Sequence, residues 1–295
     1  MTTPPQQLDI FEHNRDVMLR NDVLQALEQR DARIARIAWQ CLASELPHDR
    51  LLPALNVLTE SLEQHSGAPL TDHDALAQAR QWLSDQVAPA ACQAMGQTPG
   101  QAWTLRLWQS LARRCTRLGF DPQRANDHAA ALWLRGQDWA EVVTSVERIE
   151  SWRRIPAPLA WMAEARCRQG QLDTCWPLLA ELAWLSPGRL DALLRTAADP
   201  LLTRLYKKFG ASFDGSGELA DLAWFPAWVL VEAPALAPRL TLAQASQHSP
   251  AERGMRLLLA LLGLERQARH HELVPGRRAL RDLHAGLYSA YMATR

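Results

Sequence analysis

The sequence has almost no lysine. Lys207 and Lys208 are the only two, so nearly every positive charge is arginine. With abundant Ala and Leu, this is the composition that GC-rich bacterial coding gives, and it carries no functional signal. Net charge is also absent, because 32 basic residues balance 32 acidic ones. No global field draws the chain to nucleic acid or acidic lipid, and any such binding must come from a local patch. The start, MTTPPQQLDIFEHNRD, lacks the basic and apolar regions of a secretory signal. Long hydrophobic runs are missing too. LLLALLGL (257–264) is too short to span a bilayer, and LAWFPAWVLVEAPALA (222–237) is interrupted by Glu232 and prolines. These absences predict a soluble, cytoplasmic chain with no membrane partner.

Chemical signatures are equally scarce. There is no CxxC pair, which excludes a zinc ribbon or thioredoxin-type motif. Cys41, Cys92, Cys115, Cys167 and Cys175 lie mostly among apolar residues at helical spacing, so they are expected to be reduced, buried and structural. GxSxG, GxxxxGK[ST], HExxH and a GxGxxG after a strand are all absent. DGSG (214–217) follows no strand, which makes it a poor phosphate loop. Asp72, His73 and Asp74 are consecutive, so on a helix they point in different directions and cannot converge on one ion. They read as a helix start, with Thr71 or Asp72 satisfying free N–H groups. His270, His271 and Glu272, with His284 beyond them, read as a solvated helix end. No metal or cofactor is expected.

What the sequence does have is helix. Ala, Leu, Arg, Glu and Gln dominate, apolar residues recur at three- and four-residue steps, and no strand pattern stands out. Prolines and glycines fall between these runs, at LPHD, QTPGQ, GFDPQ, RIPAP and LSPGR. At 295 residues, 47% hydrophobic and 22% charged, the chain suits one elongated domain or two compact ones.

RGQDWAEVV (135–143) and RQGQLDTCW (168–176) are alike, and their glycines, Gly136 and Gly170, are 34 residues apart. So are Pro122 and Pro156. With Gly170 at a turn, one helix covers about 156–169 and has the small residue Ala163 at its packing position. Cys175, Leu179 and Leu182 then line the next helix, which Pro187 closes. Around Gly136, Trp139 takes the turn aromatic position and Val142, Val146 and Ile149 follow. Near the N-terminus, Ala35, Trp39 and Leu42 face Leu19, Val23 and Ala26, with Pro47 at the end. This pattern resembles the tetratricopeptide-like helical repeats, whose unit of about 34 residues pairs two antiparallel helices. The usual tyrosine of the first helix is replaced by Ala26, Leu132 and Arg166. The resemblance covers residues 16–48 and 122–188, with 49–121 reading only as generic helices, and implies an all-α solenoid over residues 16–198, after an N-terminal arm (1–15). A helical cap or small helical domain follows at 199–295, where a solenoid must cover its last apolar face. It also implies left-handed backbone at both glycines.

In that register Asn126, Trp133, Trp161, Glu164 and Arg168 fall on the exposed side of consecutive first helices, lining a groove. Trp39, Trp139 and Trp184 fall on packing positions. The reading that follows is a non-catalytic scaffold that binds another protein or a peptide through this groove. The alternative is RNA binding through two arginine-rich segments, Arg106, Arg113, Arg114 and Arg117, and Arg266, Arg269, Arg277, Arg278 and Arg281. An enzyme with an unrecognised site is third.

Overall fold

A computed structural model describes residues 6–64, 67–245 and 249–295, with side chains from Arg15 onward except that of His270. Every regular element among the described residues is helical. The chain divides into two compact units, 1–138 and 139–295. The division falls inside the range read as one repeat region.

Unit 1 contains α1 (Gln6–Gln29), α2 (Ala32–Glu45), α3 (Leu52–Glu63) and α4 (His73–Trp82). A single π-turn (Leu83–Val87) leads to α5 (Ala88–Met95), and α6 (Gln97–Arg114) follows. A 3-10 segment (Pro122–Asp127) precedes α7 (Ala129–Arg135). α1 starts within the stretch read as an N-terminal arm; residues 1–5 lie outside the described residues. Local chemistry sets the boundaries. Asp31 caps α2 by accepting the Ile34 N–H at 2.9 Å, and Asp72 caps α4 by accepting that of Ala75 at 2.7 Å. α1 packs on α2, and both pack on α3. Val23, Ala26, Ala35 and Leu42 are buried there, as their spacing predicts.

Unit 2 contains α8 (Trp139–Glu147), a 3-10 turn (Trp152–Arg154), α9 (Pro156–Arg168), α10 (Leu172–Leu185) and α11 (Pro187–Arg195). Then come α12 (Pro200–Ser212), a 3-10 segment (Leu219–Trp224), α13 (Phe225–Glu232), a 3-10 turn (Pro234–Leu236) and α14 (Ala237–Leu240). α15 (Pro250–Arg266), a 3-10 turn (His270–Glu272), α16 (Leu273–Leu283) and α17 (Ala285–Ala293) complete it. α9 and α10 pack as a pair across a short turn, and α8 and α11 also pack on α9. Ala163, Cys175, Leu179, Leu182, Val142, Val146 and Ile149 are all buried, as expected. The apolar stretch at 222–237 supplies core. Phe225 through Val231 are buried, and Phe225 and Trp228 meet Phe209 edge-to-face at 5.5 and 5.4 Å between ring centroids. No single helix among the described residues is long and apolar enough to cross a membrane. Within the polar stretch QASQHSP (244–250), expected from sequence to be a connection, residues 246–248 lie outside the described residues.

The two aligned glycines behave differently. Gly170 has φ +72° and ends α9 with left-handed backbone, as expected. Gly136 has φ −75° and does not. Gln137 takes the left-handed position instead, at φ 56°. The closing bonds show the equivalence: Asp138 N–H to Trp133 O at 3.1 Å, and Gln171 N–H to Arg166 O at 2.9 Å. Gly136 is small for another reason. A Cβ there would stand 2.8 Å from Gln109 Cγ and 3.2 Å from the Gln109 backbone nitrogen, so α7 ends pressed against α6.

Candidate functional site

Two of the five residues expected to line the groove are buried. Trp133 is only 3% exposed and Trp161 only 6%. Both rings are core, which corrects the exposed placement. The cause is the number of neighbours. α9 touches α8, α10 and α11, and Ala157, Leu159, Met162 and Ala165 are buried along with Trp161, so most of its circumference is covered. On α7, Ala129 through Trp133 are all buried. Arg113 lies over the Trp133 ring at 5.7 Å, and the indole N–H finds no acceptor among the described residues. Asn126 and Arg168 are exposed, and Glu164 is half-buried. Burial pushes the Glu164 carboxyl up, opposed by Arg168 at 3.9 Å. Asn126 and Trp133 belong to unit 1, and the other three to unit 2. Conversely, Trp39, Trp139 and Trp184, read as core, are only half-buried. Trp39 donates its N–H to Leu52 O at 3.0 Å, where α3 begins.

Of the large apolar side chains left exposed among the described residues, Leu219, Leu242 and Val274 stand apart from one another in sequence, whereas four lie on the first helix pair. Ile34 is 44% exposed and Ile37 53%, and Cys41 is exposed as well. At i, i+3 and i+7 these three share one face of α2, roughly a third of a turn round the helix from the buried Ala35 and Leu42. On α1, Val17 and Met18 are 50% and 64% exposed. The sequence carried a signal for this. Apolar residues occupy positions 34, 35, 37, 38, 39, 41 and 42, more than one face, on a helix that one neighbouring layer cannot fully bury.

The ionisable groups form structural networks. Asp72, His73 and Asp74 diverge as helix geometry requires. Asp72 caps α4, His73 Nδ1 sits 3.2 Å from Asp127 O, and Asp74 pairs with Arg124 at 2.5 Å. Arg80 Nε binds the buried Asp127 carboxylate at 2.5 Å. His128 is buried beside it and caps α7, accepting the Ala130 N–H at 3.2 Å. Burial first, and nearby His73 second, hold its pKa down at about 4. In unit 2 the buried Glu181 accepts the Gln244 N–H at 2.8 Å and faces Arg153 at 3.3 Å. Burial pushes its carboxyl up, against that hydrogen bond and the charges of Arg153 and Arg256. Glu252, also buried, lies 3.6 Å from Arg256. Arg256 Nη2 also donates to Ala243 O at 2.7 Å, so Ala243 and Gln244 are tied to α15 and α10. No group of three or more His, Cys, Asp or Glu among the described residues is placed to hold a metal ion.

A cleft of about 360 Å³ in unit 1 has Trp82, Leu83, Leu107 and Leu111 as walls and Gln64, Gln78 and Arg114 as polar lining. Arg114 Nε is held by Ala68 O at 2.9 Å. In DGSG, the Gly217 N–H donates to Asp221 Oδ2 at 2.7 Å, so the loop is closed by a carboxylate of its own chain. Cys167 and Cys175 form a disulfide, and Cys41 is exposed, which corrects the expectation of five buried thiols. The chain matches no family model, no curated protein and no solved structure.

Proposed function

We propose that the chain is a non-catalytic scaffold of tetratricopeptide-like helix pairs that binds another protein, and that the outer face of α2 is its docking surface. The observation that carries this reading is the exposed stripe of Ile34, Ile37 and Cys41. Burying an isoleucine side chain is worth roughly 1.5–3 kcal/mol, so leaving two of them in water on one helix face is a standing cost. The first pair of a helical array normally presents a polar outer face. An apolar one supports a further helical layer supplied by a partner. Anchors at i, i+3 and i+7 fit an amphipathic helix laid along α2. The pairs α1–α2 and α9–α10, and the matched closures at Gln137 and Gly170, support the repeat architecture.

The RNA alternative has less support. Arg269 binds Glu272, Arg277 faces Glu265 at 3.6 Å and Arg281 faces Asp282 at 3.7 Å, so much of that arginine cluster is already paired. The test of the scaffold reading is Ile34→Asp with Ile37→Asp, set against Arg281→Asp as a surface control. The double variant should keep its melting temperature and lose a partner that co-purifies stoichiometrically with the wild type and the control. Equal recovery by all three would remove α2 as the site.

A further inference from the structure

The notable element outside the α2 surface is the bond between Cys167 and Cys175. Cys167 lies in the last turn of α9 and is half-buried, whereas Cys175 lies in the first turn of α10 and is fully buried. Their Cα atoms are 5.8 Å apart, within the ordinary disulfide range. The turn between them is held without help from sulfur. The Gly170 N–H bonds to Cys167 O at 3.0 Å, the Gln171 N–H to Arg166 O at 2.9 Å, and Arg166 Nη1 to Gln171 Oε1 at 2.6 Å. The position of Cys175 Sγ also suits the reduced state, because Ala163 O lies 3.4 Å away as an acceptor for a thiol. Both redox states therefore fit the same helix pair. The other cysteines are not arranged this way. Cys115 is buried alone, and burial pushes its thiol up to about 12.

We propose that Cys167–Cys175 is a reversible redox couple that exchanges with low-molecular-weight thiols and disulfides, with Cys167 as the sulfur they enter through. Burial decides the order of events, since Cys175 is fully buried and Cys167 is the partner with access to solvent. In reduction, a small thiolate attacks Cys167 Sγ and forms a mixed disulfide there. The Cys167–Cys175 bond breaks, and Cys175 leaves as a thiolate, takes a proton from solvent and donates to Ala163 O. A second small thiolate attacks the outer sulfur of the mixed disulfide. It leaves as the small disulfide and releases the Cys167 thiolate, which is then protonated. Two small thiols are oxidised to one disulfide, and the protein pair gains two electrons and two protons. Oxidation runs the same steps in reverse from the small disulfide. The couple acts as a clip across the α9–α10 turn, set by the ambient thiol pool.

The test uses the full chain equilibrated in buffers from reduced to oxidised glutathione, quenched in acid and alkylated with N-ethylmaleimide under denaturing conditions. The peptide 165–181, cut after Glu164 and Glu181, carries both cysteines. It should carry two maleimides at the reduced end and none at the oxidised end, while the helical circular dichroism stays constant. In oxidised glutathione, Cys175→Ser should trap one glutathione on Cys167, and Cys167→Ser should leave Cys175 unmodified. Two maleimides at every glutathione ratio would overturn the couple, and that measurement needs no variant. Equal glutathione on both single variants would overturn the assigned point of entry.

Discussion

The turns after α7 and α9 make the most instructive pair in the molecule. Both are closed by the same backbone bond, from Asp138 to Trp133 O and from Gln171 to Arg166 O. Both carry a glycine, and the two glycines are 34 residues apart, yet they solve different problems. Gly170 supplies left-handed backbone in open space, with nothing within 4 Å of where its Cβ would be. Gly136 has ordinary helical backbone and supplies room for α6. The left-handed residue after α7 is Gln137, so the equivalent closures are one residue closer together than the glycines. Aligned glycines mark the neighbourhood of a turn, whereas hydrogen bonds fix its register.

The contrast can be broken by substitution. Gly136→Val should be the most damaging change, costing about 3 kcal/mol by overpacking against Gln109. Gly170→Val should cost less, about 1–2 kcal/mol, because only backbone strain opposes it. Urea unfolding of both variants measures the gap, and equal losses would show that the two turns are alike after all.

The starts of the two helices differ as well. α7 is capped by buried His128, whereas α9 begins at Pro156 with no side-chain cap. The folded ring stays neutral down to about 4, while the unfolded ring takes a proton below about 6.5. The unfolded state thus binds more protons between these values. Stability is intact above pH 6.5 and falls by up to about 3 kcal/mol as pH drops to 4. His128→Asn keeps a capping acceptor without a titrating group. Its urea-derived stability should be flatter than that of the wild type across this window, and parallel curves would contradict the assignment.

Only the second turn carries a covalent clip. Its loss in a Cys167→Ser, Cys175→Ser double variant should cost about 2 kcal/mol, since the closed loop is short. The smallest effect sits at Gln137. Glycine there removes left-handed strain but adds chain entropy, leaving a gain of about 0.5 kcal/mol in urea unfolding.

Much of the interior was legible from spacing alone. Ala163, Cys175, Leu179 and Leu182 are buried because two helices crossing at a small residue must put the third- and fourth-residue stripe inside. The cap at Asp72 was legible because an aspartate ahead of a helix has a local task. The facing of Trp133 and Trp161 was not. Local spacing says which side of a helix meets its hairpin partner, and nothing about a third helix such as α11. The disulfide was half-legible. The register puts Cys167 and Cys175 on either side of the Gly170 turn, but pairing depends on a through-space distance. The α2 stripe was visible as an excess of apolar residues, and its exposure depended on which neighbours are missing.

The proposed contact is between the outer face of α2 and another protein. The most direct measurement places a photo-crosslinking amino acid at Ile37 in the full chain, expressed in its native cells, with the same group at Arg281 as reference. Irradiation should join Ile37, and not Arg281, to one protein, with the crosslink mapped to an amphipathic helix of that partner. No crosslink at Ile37, or the same pattern of products from both positions, would contradict the account.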